Sequence, residues 1–296
     1  MGKINVRRTL VGVTALGAAL TLAGGGLATA STGSGTGTLD GSLGSSNNSE
    51  HTEYGMNGWM ETCPFEEILN FNEDGTAIPG PQSCMTFVVR EGTMQLGDIE
   101  VEMEPNSMMI AGGQSLVEWD WKPEQGSIYS SPVTVPGGAL GTGSAEDFGP
   151  TAITAHVEEA GTPTVDTSDL TNTTVNLPIR LKLSNPLLGD NCYIGTEDDP
   201  IDITLLADDE TMFNEHPWTG DDGNSYLGVS YPNIEASDTD FAVPGATGCG
   251  PLGLFNGLVN LRAGLPSEGG NNSIWARTSY YAGPAWQIWN ESLQEQ

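Results

Sequence analysis

The amino-acid sequence predicts an all-β protein, an antiparallel sandwich or a barrel-like fold with at most short helices. Three observations point there. Apolar residues recur at period two in several short runs. Clusters of Gly, Pro, Asn and Asp separate these runs. No long stretch carries apolar residues at helical spacing. Forty glycines and eighteen prolines in 296 residues supply the turns such a fold needs.

The elements follow in chain order. Lys3, Arg7 and Arg8 precede an uncharged apolar run, Thr9 to Leu22, and Ala28-Thr29-Ala30 offers small residues for cleavage. This pattern predicts a signal peptide over residues 1–30, cut near Ala30, and a mature chain that is secreted or held at the cell surface. The apolar run is shorter than the ~20 residues a membrane-spanning helix needs, and no later segment is long and apolar enough either. Residues 31–52, rich in Ser, Gly, Thr and Asn, predict a flexible leader. A first β-rich half is expected over 53–158, a joint over 159–174, a second β-rich half over 175–285 and a tail over 286–296. The two halves can pack as one domain.

Within the first half, Ile99, Val101 and Met103 alternate with Glu100 and Glu102. Val117, Trp119 and Trp121 alternate with Glu118 and Asp120. Ile153, Ala155 and Val157 alternate with Thr154, His156 and Glu158. Glu91-Gly92, Gly97-Asp98 and Pro136-Gly137-Gly138 read as turns between such runs. In the second half, Val175, Leu177, Ile179, Leu181 and Leu183 form the clearest strand. Pro178 cannot donate to a ladder, so that strand is expected at an edge or with a bulge there. Ile201, Ile203 and Leu205 repeat the pattern. The best helix candidate is short, within Leu252 to Leu261. Over Ile274 to Tyr281 the even and odd positions are expected on opposite faces. Trp286 and Trp289, three residues apart, fit a terminal helical turn docked on the sheet.

Residues 1–30 hold three of the nine basic residues and no acidic ones. The remainder carries six basic residues against 39 acidic ones, a formal charge of −33. That balance argues against nucleic acid or an anionic membrane as a partner, because both are polyanions. It fits a strongly solvated surface adapted to salt, amplified by a shortage of lysine.

Cys63, Cys84, Cys192 and Cys249 are an even set in an oxidising compartment and predict disulfides. Of three connectivities, Cys63–Cys84 and Cys192–Cys249 join sequence neighbours, each within one half. A zinc site would be expected to show closer Cys spacing.

Three segments carry a resemblance: Asn185-Pro-Leu-Leu-Gly-Asp-Asn-Cys-Tyr-Ile-Gly195, Phe241-Ala-Val-Pro-Gly-Ala-Thr-Gly-Cys-Gly250 and Leu258-Val-Asn-Leu-Arg-Ala-Gly-Leu-Pro-Ser267. Over residues 170–281 the chain resembles a group of exported actinobacterial proteins of unknown function. The resemblance implies export and pairing of Cys192 with Cys249. It brings no catalytic or binding residue with it.

The chemistry-bearing residues are few. His51 lies in the leader, His156 on the wet face of a strand, and His216 before a proline in an acidic loop. No G-x-S-x-G elbow accompanies them, so a histidine-based hydrolase has little support. Carboxylate pairs suited to glycoside hydrolysis arise by chance among 39 acids. A structural calcium is the better use of oxygen-rich turns. Asp221, Asp222 and Asn224 form one such turn, Glu197, Asp198 and Asp199 another. Asn70-Phe-Asn72-Glu-Asp74-Gly75 copies half of an EF-hand loop, but its twelfth position is Pro81, so an ordinary Asp-Gly turn is expected. Trp275, Tyr281, Trp286 and Trp289 are the aromatic residues that could stack on a sugar or another extracellular ligand. The expected function is therefore a structural or interaction role outside the cell or in its envelope, with no catalysis evident. A glycan- or ligand-binding module is the alternative, and a secreted hydrolase comes after it.

Overall fold

A computed structural model describes residues 62–115, 117, 120–138, 152–166, 173–208, 214–219 and 225–293. Antiparallel strands dominate them, with three short helices, as the period-two pattern predicted. The segments expected as signal peptide and leader, and the expected Asp221-Asp222-Asn224 turn, lie outside the described residues.

Fourteen strands form one sheet. Its main path runs through β8 (Thr174–Ser184), which β6 (Thr154–Glu159) flanks off the path, then β10 (Ile201–Asp208), β12 (Ser225–Asp238) and β14 (Ser273–Pro284). β1 (Gln82–Leu96), β3 (Met108–Ser115) and β4 (Trp121–Ser130) complete it. The sheet then returns on itself. β5 (Val133–Thr134) continues from β4 after Pro132 and pairs with β6. The result is a strongly curled, barrel-like sheet, the second of the two predicted architectures. β1 and β14 pair along almost their whole lengths, Ser83 opposite Pro284 to Gln95 opposite Ser273, so the first and second halves of the chain share one sheet. β2 (Ile99–Met103) pairs with β1, and β7 (Thr164–Asp166) with β8. β9 (Tyr193–Ile194) links β8 to β13 (Ala246–Thr247), and β11 (Asn214–Thr219) extends β12.

The alternation read from the sequence sets the faces. Val175, Leu177, Ile179, Leu181 and Leu183 of β8 are all buried in the interior. Ile201, Ile203 and Leu205 of β10 join them. In β14 the even positions, Ile274 to Ala282, point into this core. At about 25 cal/mol per Å² of apolar surface removed from water, this continuous interior is the main source of stability.

Three readings need correction. β8 is not an edge strand, because β6 and β7 flank it on one side and β10 on the other. The proline is accommodated by the neighbour: the chain bulges between β6 and β7, and the Ala160 and Gly161 amides both reach the Pro178 carbonyl, at 2.9 and 3.3 Å. Glu91-Gly92 is not a turn but the end of a bulge inside β1, with the register shifting between Val89 and Glu91. Val89 points in, Arg90 and Glu91 point out, and Gly92 points in again. Glycine is required at 92 because a Cβ there would strike the Met103 side chain and the Trp275 carbonyl. Val117 does not start a strand. It is 70% exposed in a turn, and β4 begins at Trp121.

The short-helix expectation holds. A 3-10 turn at Pro251–Gly253 leads into α2 (Asn256–Ala263), which stops at Gly264 in the left-handed region, φ 66°. A second, smaller core lies on the outer face of β1, β3 and β14. There α1 (Phe65–Ile68) and α3 (Ala285–Ser292) cover Val88, Met109, Ala111 and Tyr281. Asn290 fixes α3 to the loop before β1 by accepting from the Ala77 amide at 2.6 Å and donating to its carbonyl at 2.9 Å. The disulfides are Cys63–Cys84 and Cys192–Cys249, as the sequence neighbours suggested.

All six basic residues outside the first thirty are described. Arg277 pairs with Glu91 and Glu235, Lys122 with Asp120, and Arg180 and Lys182 share Glu158. The pairs of Arg277 and Lys122 are largely exposed and contribute about 0–1 kcal/mol each, Glu158 alone of these carboxylates being buried, whereas a charge of −33 repels itself over the whole surface. Repulsion wins, so added salt should stabilise the fold. We expect the unfolding temperature of residues 31–296 to rise by several degrees (about 5 °C) as NaCl goes from ~0.01 to ~1 M, where the Debye length falls from about 30 to about 3 Å. A flat or falling midpoint in a calorimetric titration would contradict this.

Candidate functional site

The interior is not filled completely. Four inward positions lie in register across four adjacent strands and all are small. Ala207 of β10 stands opposite Ala236 of β12, Ala236 opposite Ala276 of β14, and Ala276 opposite Gly92 of β1. Most other inward positions nearby carry larger side chains, such as Phe87, Val89, Leu177, Leu205, Ile274 and Tyr280. The three alanines border a cavity of about 70 Å³, while the Met103 side chain takes the space over Gly92. On the same measure one water needs ~10–15 Å³, and a ~150 Å³ hydrocarbon cavity takes a benzene.

The walls are Phe87 and Val89 of β1, Met103 of β2, Leu177 of β8, and Leu205 of β10, among others. Polar groups are few. Thr278 donates its hydroxyl to the Ile234 carbonyl at 3.3 Å. Tyr280 is 7% exposed, and its ring packs on Phe87 at 4.8 Å and Tyr231 at 5.6 Å. Burial, with a smaller contribution from Tyr231, pushes the Tyr280 phenol far above its ordinary value. It is therefore neutral at any physiological pH and acts as a hydrogen-bonding group, not a base. Ala207, Tyr231 and Ile234 are partly exposed, so the cavity reaches the surface on their side.

Comparison of the chain with protein families, with curated proteins and with solved structures gives no match. The chemistry must therefore be read from the molecule alone.

The residues singled out from the sequence lie elsewhere. Tyr281 is buried in the outer core. Trp286 and Trp289 pack against that core from α3. Trp289 sits 5.5 Å from Phe65 and 5.2 Å from Phe71, and its indole N–H donates to the Gly75 carbonyl at 3.0 Å. Trp275 lies on the outer face of β14, partly exposed, with the Arg277 guanidinium 5.6 Å from its ring centre. These four do not converge on one pocket.

His156 points along the seam between β6 and β4, with Nε2 3.0 Å from the Ser130 carbonyl. His216 lies in β11 opposite Gly228. His51 is outside the described residues. Among the described residues no three His, Cys, Asp or Glu side chains group as metal ligands. The Asp74 turn closes on itself. Its carboxylate accepts from the Thr76 hydroxyl at 2.6 Å and the Thr76 amide at 3.0 Å, and these bonds lower its pKa. Glu197 reaches Arg180 at 3.2 Å, and Asp199 belongs to a turn tied to Thr196.

The inward faces were legible in the sequence, but the cavity was not. Its only sequence signal is small residues at inward positions, Ala207, Ala236 and Ala276. Those become a row only once the register between strands is known.

Proposed function

We propose that the mature chain is a non-catalytic binding protein of the cell exterior or envelope, which takes a small, largely apolar molecule into the curled sheet. The observation that carries this reading is the row Ala207–Ala236–Ala276, which borders a cavity inside the curled sheet. Apolar walls with a few placed polar groups are the ordinary composition of a small-molecule site. Two disulfides fit an extracellular protein. Export also agrees with the resemblance of residues 170–281 to exported actinobacterial proteins.

The ligand suited to this space has a compact apolar part of a few carbon atoms, a hydrogen-bonding group within reach of the Tyr280 hydroxyl, and any larger part in the open mouth. Fluorobenzene is larger than the enclosed space, so as a probe it would place part of its ring in the cavity and the rest in the open mouth. We expect ligand-observed fluorine NMR to detect its binding to the mature protein. Ala207→Phe, which fills the space at the mouth, should weaken binding at least tenfold, at about 1.4 kcal/mol per tenfold. Unchanged binding by a folded Ala207→Phe variant would overturn the reading.

A further inference from the structure

A second cavity, of about 80 Å³, lies at the opposite end of the curled sheet, where α2 covers it. It shares no lining residue with the first. Every side chain in its lining is hydrocarbon except one: Ile99, Val135, Ile153, Leu188, Ile194 and Leu258 are among the first kind, and Arg262 is the exception. Arg262 stands in the last turn of α2. One of its terminal nitrogens donates to the Pro136 carbonyl at 3.0 Å. Its Nε–H is buried and has no acceptor.

This placement is unusual in so acidic a chain. The other four basic residues with carboxylate partners, Lys122, Arg180, Lys182 and Arg277, have them within 4 Å. Arg90 is held by Ser279, Asn106 and Tyr281. Among the described residues no carboxylate lies within ion-pair distance of Arg262. Proximity to the C-terminus of α2 favours a positive charge there, but that leaves the Nε donor unsatisfied. A water would be a poor remedy, because a buried water needs two to four polar partners and the other lining side chains offer none. A carboxylate can accept from Nε–H and a neighbouring nitrogen of a guanidinium together, which makes the strongest kind of protein hydrogen bond.

We propose that this cavity binds a small amphipathic carboxylate, with its head on Arg262 and its hydrocarbon tail among the side chains under α2. The enclosed volume limits the buried tail to a few carbons. Leu258, one turn before Arg262 and 53% exposed, forms part of the mouth through which a longer tail would emerge. The proposal is independent of the first cavity and stands or falls by itself.

The test compares hexanoate with 1-hexanol on the mature protein, by calorimetry and by methyl chemical shifts of Ile194 and Leu258. Hexanoate should bind at least tenfold more tightly than the alcohol and move those methyl signals. Arg262→Gln, which removes the charge and keeps a polar side chain, should abolish the preference for the acid. Ala155→Phe, which narrows the cavity, should weaken both ligands, and Ala207→Phe at the other cavity should change neither. Equal binding of acid and alcohol by the wild-type protein would overturn the proposal, with no variant needed. So would an undiminished preference in Arg262→Gln, or methyl shifts confined to the other end of the sheet.

Discussion

Removing the Cys192–Cys249 bond should cost the mature protein about 4 kcal/mol of stability, since a loop of that length restricts the unfolded chain by roughly that much. The two cysteines are 57 residues apart and fully buried. They pin the segment before α2 to the turn between β8 and β9. The bond is supported locally: the Leu183 amide donates to the Cys192 carbonyl at 2.8 Å, and the Cys249 amide to the Asn256 side chain at 2.8 Å. β9 and β13 pair beside it, Ala246 opposite Ile194. The double variant Cys192→Ala/Cys249→Ala should therefore lose stability and also loosen α2 over the second cavity. The Cys63–Cys84 bond closes a shorter loop, separation 21, and its loss should cost about 3 kcal/mol. Equilibrium urea unfolding of both variants checks the order. Domains are stable by only about 5–15 kcal/mol, so either loss should be plain, and a change below ~1 kcal/mol for Cys192→Ala/Cys249→Ala would contradict this account.

The second large effect is expected at the seam. β4 and β6 lie against each other without a backbone ladder between them, and the barrel-like sheet is held shut there by side chains. Glu159 Oε1 accepts from the Ser127 hydroxyl and from the Ile128 amide, both at 2.9 Å. Ser130 donates to the Val157 carbonyl at 2.9 Å. Ser127 and Ile128 are fully buried, so Glu159→Ala strands two donors away from water. An unsatisfied buried donor costs about 1–3 kcal/mol, and the expected loss is about 2–4 kcal/mol. Glu159→Gln keeps an oxygen acceptor in the same place and should recover most of it. Hydrogen exchange gives a local readout: the Ile128 amide should lose protection in Glu159→Ala and keep it in Glu159→Gln. Equal stability of the two variants, within ~0.5 kcal/mol, would show that Glu159 does not hold the seam.

Glu159 also shows where sequence reasoning stops. Strand positions and faces were readable because period two is a local property. The inward set of β8 could be assigned from residue order alone, and in β14 residue order separated the two faces but favoured the wrong one for Trp275, which lies outside and partly exposed. The same logic placed His156 and Glu158 on a wet face. In the structure Glu158 is 7% exposed beneath Arg180 and Lys182. Its neighbour Glu159 turns to the seam. Neither role has a sequence signature, because each depends on a strand that is distant in the chain. The bulge at Arg90 in β1 was hidden for a related reason, whereas Pro178 marked the place of the other, though not that the neighbouring chain carries it. Glu91-Gly92 has turn composition, but the long pairing of β1 with β14 overrides it. Trp286 and Trp289 were readable as a docked helical turn, because their spacing and the sequence end of β14 fix it. Arg262 gave no signal. An arginine near the end of a short helix is ordinary, and only the tertiary structure places its Nε against hydrocarbon.

The account rests on the claim that the row of small residues inside the curled sheet is a binding site, and that the aromatic residues outside it serve packing. The most direct measurement is the position of bound fluorobenzene by intermolecular NOEs to methyl-labelled mature protein. The account predicts contacts to the methyls of Ala207, Ala236 and Ala276 and to Leu177. Contacts confined to the outer face around Trp275 or α3, with none to those alanines, would contradict it.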